Sequence, residues 1–160
     1  MSTAKRAPLF SVDVGMLMST LLILVGYLMP WFRKGRRYQW SFSGWEYASL
    51  SSGGGWTLLT FAWLLLAALA ALWAQTSVAA AMAAMVAAIG TLVTALAVVA
   101  ASFAMIGERS ALDYVAELPF EAGIPLMAVG LGLLMATSCR AIVRCHLLDV
   151  TQQQRETPTS

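Results

Sequence analysis

Apolar residues run in four long blocks along this 160-residue chain, and the polar residues gather between them. From Glu46 to Glu108 no other Asp, Glu, Lys or Arg interrupts the sequence. A soluble core cannot hide so many consecutive uncharged positions, so the pattern asks for an apolar solvent. The blocks predict helical spans over about 14–30, 56–74, 78–105 and 124–143. Ser11 or Asp13 can cap the first span, and Pro30 stops it. Lys5 and Arg6 precede it, but no small-x-small cleavage pattern follows, so the span reads as uncleaved. Ala74-Gln75-Thr76-Ser77 is the polar break between the second and third spans. One helix through both would need about 50 residues, more than twice the bilayer core, so a tight hairpin is expected.

The loops differ in character. The first, residues 31–55, opens with Arg33-Lys34-Gly35-Arg36-Arg37. Tyr38, Trp40 and Phe42 then alternate with Gln39, Ser41 and Ser43, a period of two that predicts a strand. Gly44-Trp45-Glu46-Tyr47 predicts a turn, and Ser51 to Gly55 a flexible connector. Trp31, Trp56 and Trp73 border spans and are expected as interfacial anchors. Trp40 and Trp45 lie mid-loop, where a small folded cap accounts for them better. The second large loop, residues 106–123, allows a short amphipathic helix from Ser110 to Leu118 closed by Pro119. Residues 151–160 predict a disordered polar tail. The expected fold is therefore an all-α membrane protein, a four-transmembrane-helix bundle with a small β-containing extracytoplasmic cap from the first loop.

Composition strengthens this picture. The chain is 59% hydrophobic and 11% charged, with a mean hydropathy of +0.73, whereas soluble domains carry roughly 25% charged residues. Its richness in Ala and Trp is that of a bacterial protein. Four spans put both termini and the hairpin on one side of the membrane. Lys5, Arg6, Arg140, Arg144 and Arg155 lie on that side; Arg33, Lys34, Arg36, Arg37 and Arg109 lie on the other. The positive-inside count is thus tied. The termini are placed in the cytoplasm, across a bacterial inner membrane, because the loops hold the aromatic material and Arg140 and Arg144 directly follow a span. The first loop sums to +3 (four basic residues against Glu46) and the second to −3 (Arg109 against four acids). Facing each other, they can pair, at about 0–1 kcal/mol for each exposed pair.

Small residues pattern the last two spans. Ala79, Ala83 and Ala87 form one stripe of the third, Ala80, Ala84 and Ala88 a second, and Gly90 extends along the helix. Ala128, Gly132 and Ala136 repeat the motif on the fourth. Such stripes let helix backbones approach closely where lipid supplies no hydrophobic drive. Chemistry is sparse by comparison. No charged residue lies mid-span, which removes the usual mark of ion pathways and proton relays. No catalytic set, phosphate loop or zinc-spaced cluster assembles, so no catalytic, cofactor or metal residue is assigned. Cys139 and Cys145 read as free thiols at a helix end, and His146 as an interfacial residue.

One resemblance follows from this order of features. A first span ending in Leu28-Met29-Pro30-Trp31 leads into a strand-like loop holding Trp40 and then Gly44-Trp45; a hairpin of spans, a shorter acidic loop and a final span follow. The layout resembles the claudin-like four-helix architecture, whose first extracellular segment carries a Trp…Gly-Leu-Trp signature and folds as a small sheet on the bundle. The resemblance covers about Val14 to Val143. It implies the architecture and the external placement of Trp40, Gly44 and Trp45. It implies no barrier function, since no Cys precedes Cys139 where claudins carry a pair. The function expected is a non-catalytic accessory subunit of a larger membrane complex. Its small-residue faces would meet other membrane subunits within the lipid bilayer, and its loop cap, Trp40, Gly44, Trp45 and Glu46, would dock on a partner's external surface. The alternatives are a lipid- or small-molecule-handling membrane component and an envelope sensor. Nucleic acid and metal are not expected.

Overall fold

The computed structural model describes residues 12–32, 43–46, 48, 55–104 and 121–156. They form four long helices: α1 (Val14–Leu28), α2 (Gly55–Ala71), α3 (Val78–Ala104) and α4 (Gly123–Glu156). Two of them are long and apolar enough to cross a membrane, over Val78–Ala100 and Gly123–Leu148; α1 and α2 are apolar but shorter.

Local chemistry sets the helix ends. Of the two capping candidates it is Asp13 that caps α1: its backbone is extended and its side chain accepts the Met16 N–H at 3.1 Å. The Asp13 N–H donates to the Ala71 carbonyl at 2.9 Å, which seats the start of α1 against the end of α2. Met29 leaves helical geometry just before Pro30, whose missing N–H and fixed ring end the helix. Between α2 and α3 the chain turns over residues 72–76, as the polar break predicts, and Ser77 Oγ accepts the Ala80 N–H at 3.4 Å to start α3. Pro125 sits in the first turn of α4, where its missing donor costs nothing.

The last helix outruns its expected span. It continues to Glu156, through residues expected to be disordered from Thr151. The physical reason is local: no Gly or Pro occurs between Gly132 and Pro158, and Gln152 to Glu156 are good helix formers. Among the residues of α4 whose burial is described, Cys145 is the last buried one; His146, Leu147, Leu148, Val150 and Thr151 are all exposed.

Packing follows small residues. Helix α1 lies chiefly along α4, α2 along α3, and α3 along α4, with a lighter contact between α1 and α2. The face of α3 turned inward is Ala81, Ala84, Ala88, Thr91, Ala95 and Val98, at three- and four-residue spacing. Against α4, Gly26 meets backbone: a Cβ built on it would stand 2.6 Å from the Met127 nitrogen and 2.8 Å from the Gly123 oxygen. Outside, every helix carries large apolar side chains, Val14 at 66% exposure, Leu58 at 74% and Leu96 at 60% among them.

The strand expected over Tyr38 to Phe42 lies outside the described residues, as do Trp40 and most of the charged residues of both loops. Among the described residues there is no strand. The first loop shows an isolated antiparallel bridge between Pro30 and Ser43 and a helical turn at 44–46.

Candidate functional site

The end of the bundle at Pro30 is where separate parts of the chain converge. Because Pro30 breaks α1, the backbone turns and Trp31 folds back over the helix end. Its indole N–H donates to the Gly26 carbonyl at 3.2 Å, and its ring meets Tyr27 edge to face at 6.1 Å. Backbone bonds then tie the start of α4 to the same place: the Glu121 N–H donates to the Trp31 carbonyl at 3.0 Å, and the Gly123 N–H to the Pro30 carbonyl at 3.1 Å. Gly44 lies directly on the Trp31 ring, so close that a Cβ there would strike Trp31 and Tyr27. Gly123 is pressed on the same ring, its Cβ position 2.8 Å from Trp31 Cδ1. Trp31 is fully buried. Two glycines and a proline turn make room for the whole indole inside, where it joins the described ends of both loops.

From Trp31 a run of edge-to-face rings leads outward. Tyr27 meets Phe61 at 6.0 Å and 90°, and Phe61 meets Trp45 at 5.3 Å and 63°. Trp45 is 43% exposed, so this run ends at the surface. Beside it lies an open groove of about 460 Å³ lined by Leu28, Pro30, Ser43, Trp45, Glu46 and Phe61. The turn carrying Trp45 is held by its own sequence. Ser43-Gly44-Trp45-Glu46 is a capping box: Glu46 Oε2 accepts from the Ser43 N–H at 2.8 Å and from its hydroxyl at 3.1 Å, while Ser43 Oγ accepts the Glu46 N–H at 3.3 Å. The Ser-x-x-Glu spacing announces this device, and the expected turn at Gly44 to Tyr47 passed over it. Replacing Ser43 by Ala should release the turn at a cost of about 1 kcal/mol. Faster amide exchange at Glu46, with the four helices unchanged, would show it.

Below the rings the interior is polar in small doses. Ser19, Thr20, Thr91, Thr94 and Ser138 each donate to a carbonyl four residues back on their own helix, at 2.7–2.8 Å. That is how a hydroxyl is satisfied where water does not reach. Tyr27 is different: its hydroxyl faces Thr57 and Thr60 of α2, yet neither it nor Thr57 Oγ1 closes a hydrogen bond.

The remaining expected site residues fall as follows. Trp73 is 41% exposed at the hairpin end, and Trp56 stands in the first turn of α2. Ala79 is exposed, Ala83 half-buried and Ala87 buried, so that stripe winds from the outside of α3 to its inside. Gly90 receives the Trp63 ring, 2.5 Å from its Cβ position. Ala128, Gly132 and Ala136 are all exposed, and nothing lies within 4 Å of where a Gly132 Cβ would be. The inward face of α4 is instead Gly123, Met127, Gly130, Leu134, Ser138, Ala141 and Cys145. Cys145 points its thiol at the Ala74 carbonyl, 3.9 Å away, and Cys139 is exposed. Among the described residues no three His, Cys, Asp or Glu side chains group as metal ligands. No family model matches the sequence, and the searches of curated proteins and solved structures returned no match.

Proposed function

We propose that this chain is a multi-pass membrane protein of four spans, bacterial, with both termini on the cytoplasmic side of the inner membrane, and that it serves as a non-catalytic subunit of a larger complex. Support for the membrane setting comes from the apolar outer faces of the helices and from length. Gly123 and Cys145 of α4 are held at opposite ends of the bundle by Pro30 and Ala74. At 1.5 Å per residue they stand about 33 Å apart, close to the roughly 30 Å of a bilayer core. The claudin-like layout is part of the proposal, with Gly44 and Trp45 at the external end.

The observation that carries the subunit reading is the outward stripe Ala128, Gly132 and Ala136. Among the described residues the stripe is exposed and nothing lies against Gly132, although its residue types are those that let a second helix approach closely. Gly132→Leu should not lower the chain's own thermal midpoint in detergent, since its Cβ site is open and Leu is the better helix former. The same variant should lose a stoichiometric partner that co-purifies with the wild type after gentle extraction, read by mass spectrometry. A wild-type chain that purifies alone sinks the reading.

A second reading, a component that handles lipid or a small molecule, draws on the groove beside Trp45 and Phe61. In that case Trp45→Ala would remove a bound molecule that Gly132→Leu retains.

A further inference from the structure

The outer face of α4 changes character as it nears the hairpin end of the bundle. Below the small-residue stripe come Arg140 and Arg144, one helical turn apart and both exposed. An open groove of about 490 Å³ runs past them, lined among the described residues by Cys139, Arg140, Val143, Arg144, Leu147 and Leu148 as well as Thr151. Neither guanidinium has an ion-pair partner among the described residues.

Depth makes this arrangement unusual. Cys145, in contact with the Ala74 carbonyl, marks the end of the bundle. Arg144 is therefore at that boundary, and Arg140 about 7 Å inside it by helix rise. Side chains on a helix lean toward its N-terminus, which for α4 is toward the middle of the span. Two cations thus stand at the apolar edge with hydrophobic neighbours and no counter-charge among the described residues, where an uncompensated Arg is unfavourable. A partner that fits the groove is an anion that itself lives at that depth and brings an apolar body for Val143, Leu147 and Leu148. Guanidinium groups suit phosphate oxygens in particular.

We propose that Arg140 and Arg144 bind the phosphate of an anionic phospholipid, with its acyl chains lying along Val143 and Leu147. This rests on the membrane reading above. The test is native mass spectrometry of the full chain in mild detergent, offered equal amounts of dioleoyl-phosphatidylglycerol and dioleoyl-phosphatidylcholine. The wild type should retain the phosphatidylglycerol about tenfold over the phosphatidylcholine. R140Q/R144Q should bring the two to near parity with the helical circular dichroism unchanged. If the double variant fails to fold, R140Q and R144Q singly decide, each expected to lose several-fold of the preference. Equal retention by the wild type, or a preference that survives both substitutions, overturns the proposal. So does complete displacement of the lipid by excess inorganic phosphate, which would make this a simple anion site. An alkaline carbonate wash of native membranes separates the two failures: release of the chain sinks the membrane reading itself, whereas a retained chain without lipid preference sinks this site alone.

Discussion

Gly26→Ala should destabilise the folded chain by about 3 kcal/mol, the upper end of what overpacking costs. The added methyl would stand 2.6 Å from the Met127 nitrogen, 2.8 Å from the Gly123 oxygen and 2.9 Å from the Met127 Cα. All three are backbone atoms of α4, and no rotamer change can move them. Ordinary carbon contacts begin nearly 1 Å further out, so α1 and α4 must separate along the seam that holds most of the contact of α1. The damage would not stay local. Gly123 also donates to the Pro30 carbonyl, and Glu121 to that of Trp31, so the same displacement strains both bonds that close the loop end. Denaturant titration in detergent, followed by circular dichroism, measures the effect. Gly132→Ala is the matched control: the same change on an open face, where helix propensity predicts a gain of up to about 1 kcal/mol. Equal stability of Gly26→Ala and wild type would mean that the helices do not approach this closely.

That contrast between two glycines shows what the sequence yields by inspection and what it hides. Helix ends could be read because their signals are local: a carboxylate before an apolar run at Asp13, a proline at Pro30, a polar break at Ala74 to Ser77. Facing is harder, because it depends on neighbours distant in the chain. On α4 the regular spacing of Ala128, Gly132 and Ala136 draws the eye, but the seam with α1 uses Gly123, Met127 and Gly130, where small and large residues alternate to match Ile23 and Gly26 opposite. A glycine is a packing residue only if another backbone arrives, and nothing in its own sequence says so. The depth of the last helix had the same difficulty: apolarity fades after Val143, while helical propensity does not. At Gly44 and Trp45 the described turn is shaped by the capping box of Ser43 and Glu46, a signal as local as those of the helix ends.

Trp31 marks the sharpest division between the two kinds of information, and its removal is expected to have the largest effect. A tryptophan that follows a span and a proline has the same sequence signature whether it lies in the headgroups or folds inward. Here burial decides: the side chain is fully enclosed, its N–H is spent on the Gly26 carbonyl, and Gly44 and Gly123 have no side chains that could close over the space it fills. Trp31→Ala should therefore cost about 3–5 kcal/mol, the range for truncating a large buried aromatic. The cavity cannot collapse, because the surrounding backbone is fixed by the Glu121 and Gly123 hydrogen bonds. Tyr27 would lose an edge-to-face partner as well. Trp31→Phe keeps part of the volume and gives up the N–H donor, so its loss should be roughly half as large. Trp73, 41% exposed at the other end, provides the comparison within the same molecule, and Trp73→Ala should cost no more than about 1 kcal/mol. Thermal midpoints of the three variants in one detergent decide the matter. If Trp31→Ala and Trp73→Ala shift the midpoint equally, Trp31 acts only as an interfacial anchor and the convergence of the two loops upon it carries no stability; a several-fold larger shift for Trp31 makes it the residue on which the Pro30 end of the bundle is assembled.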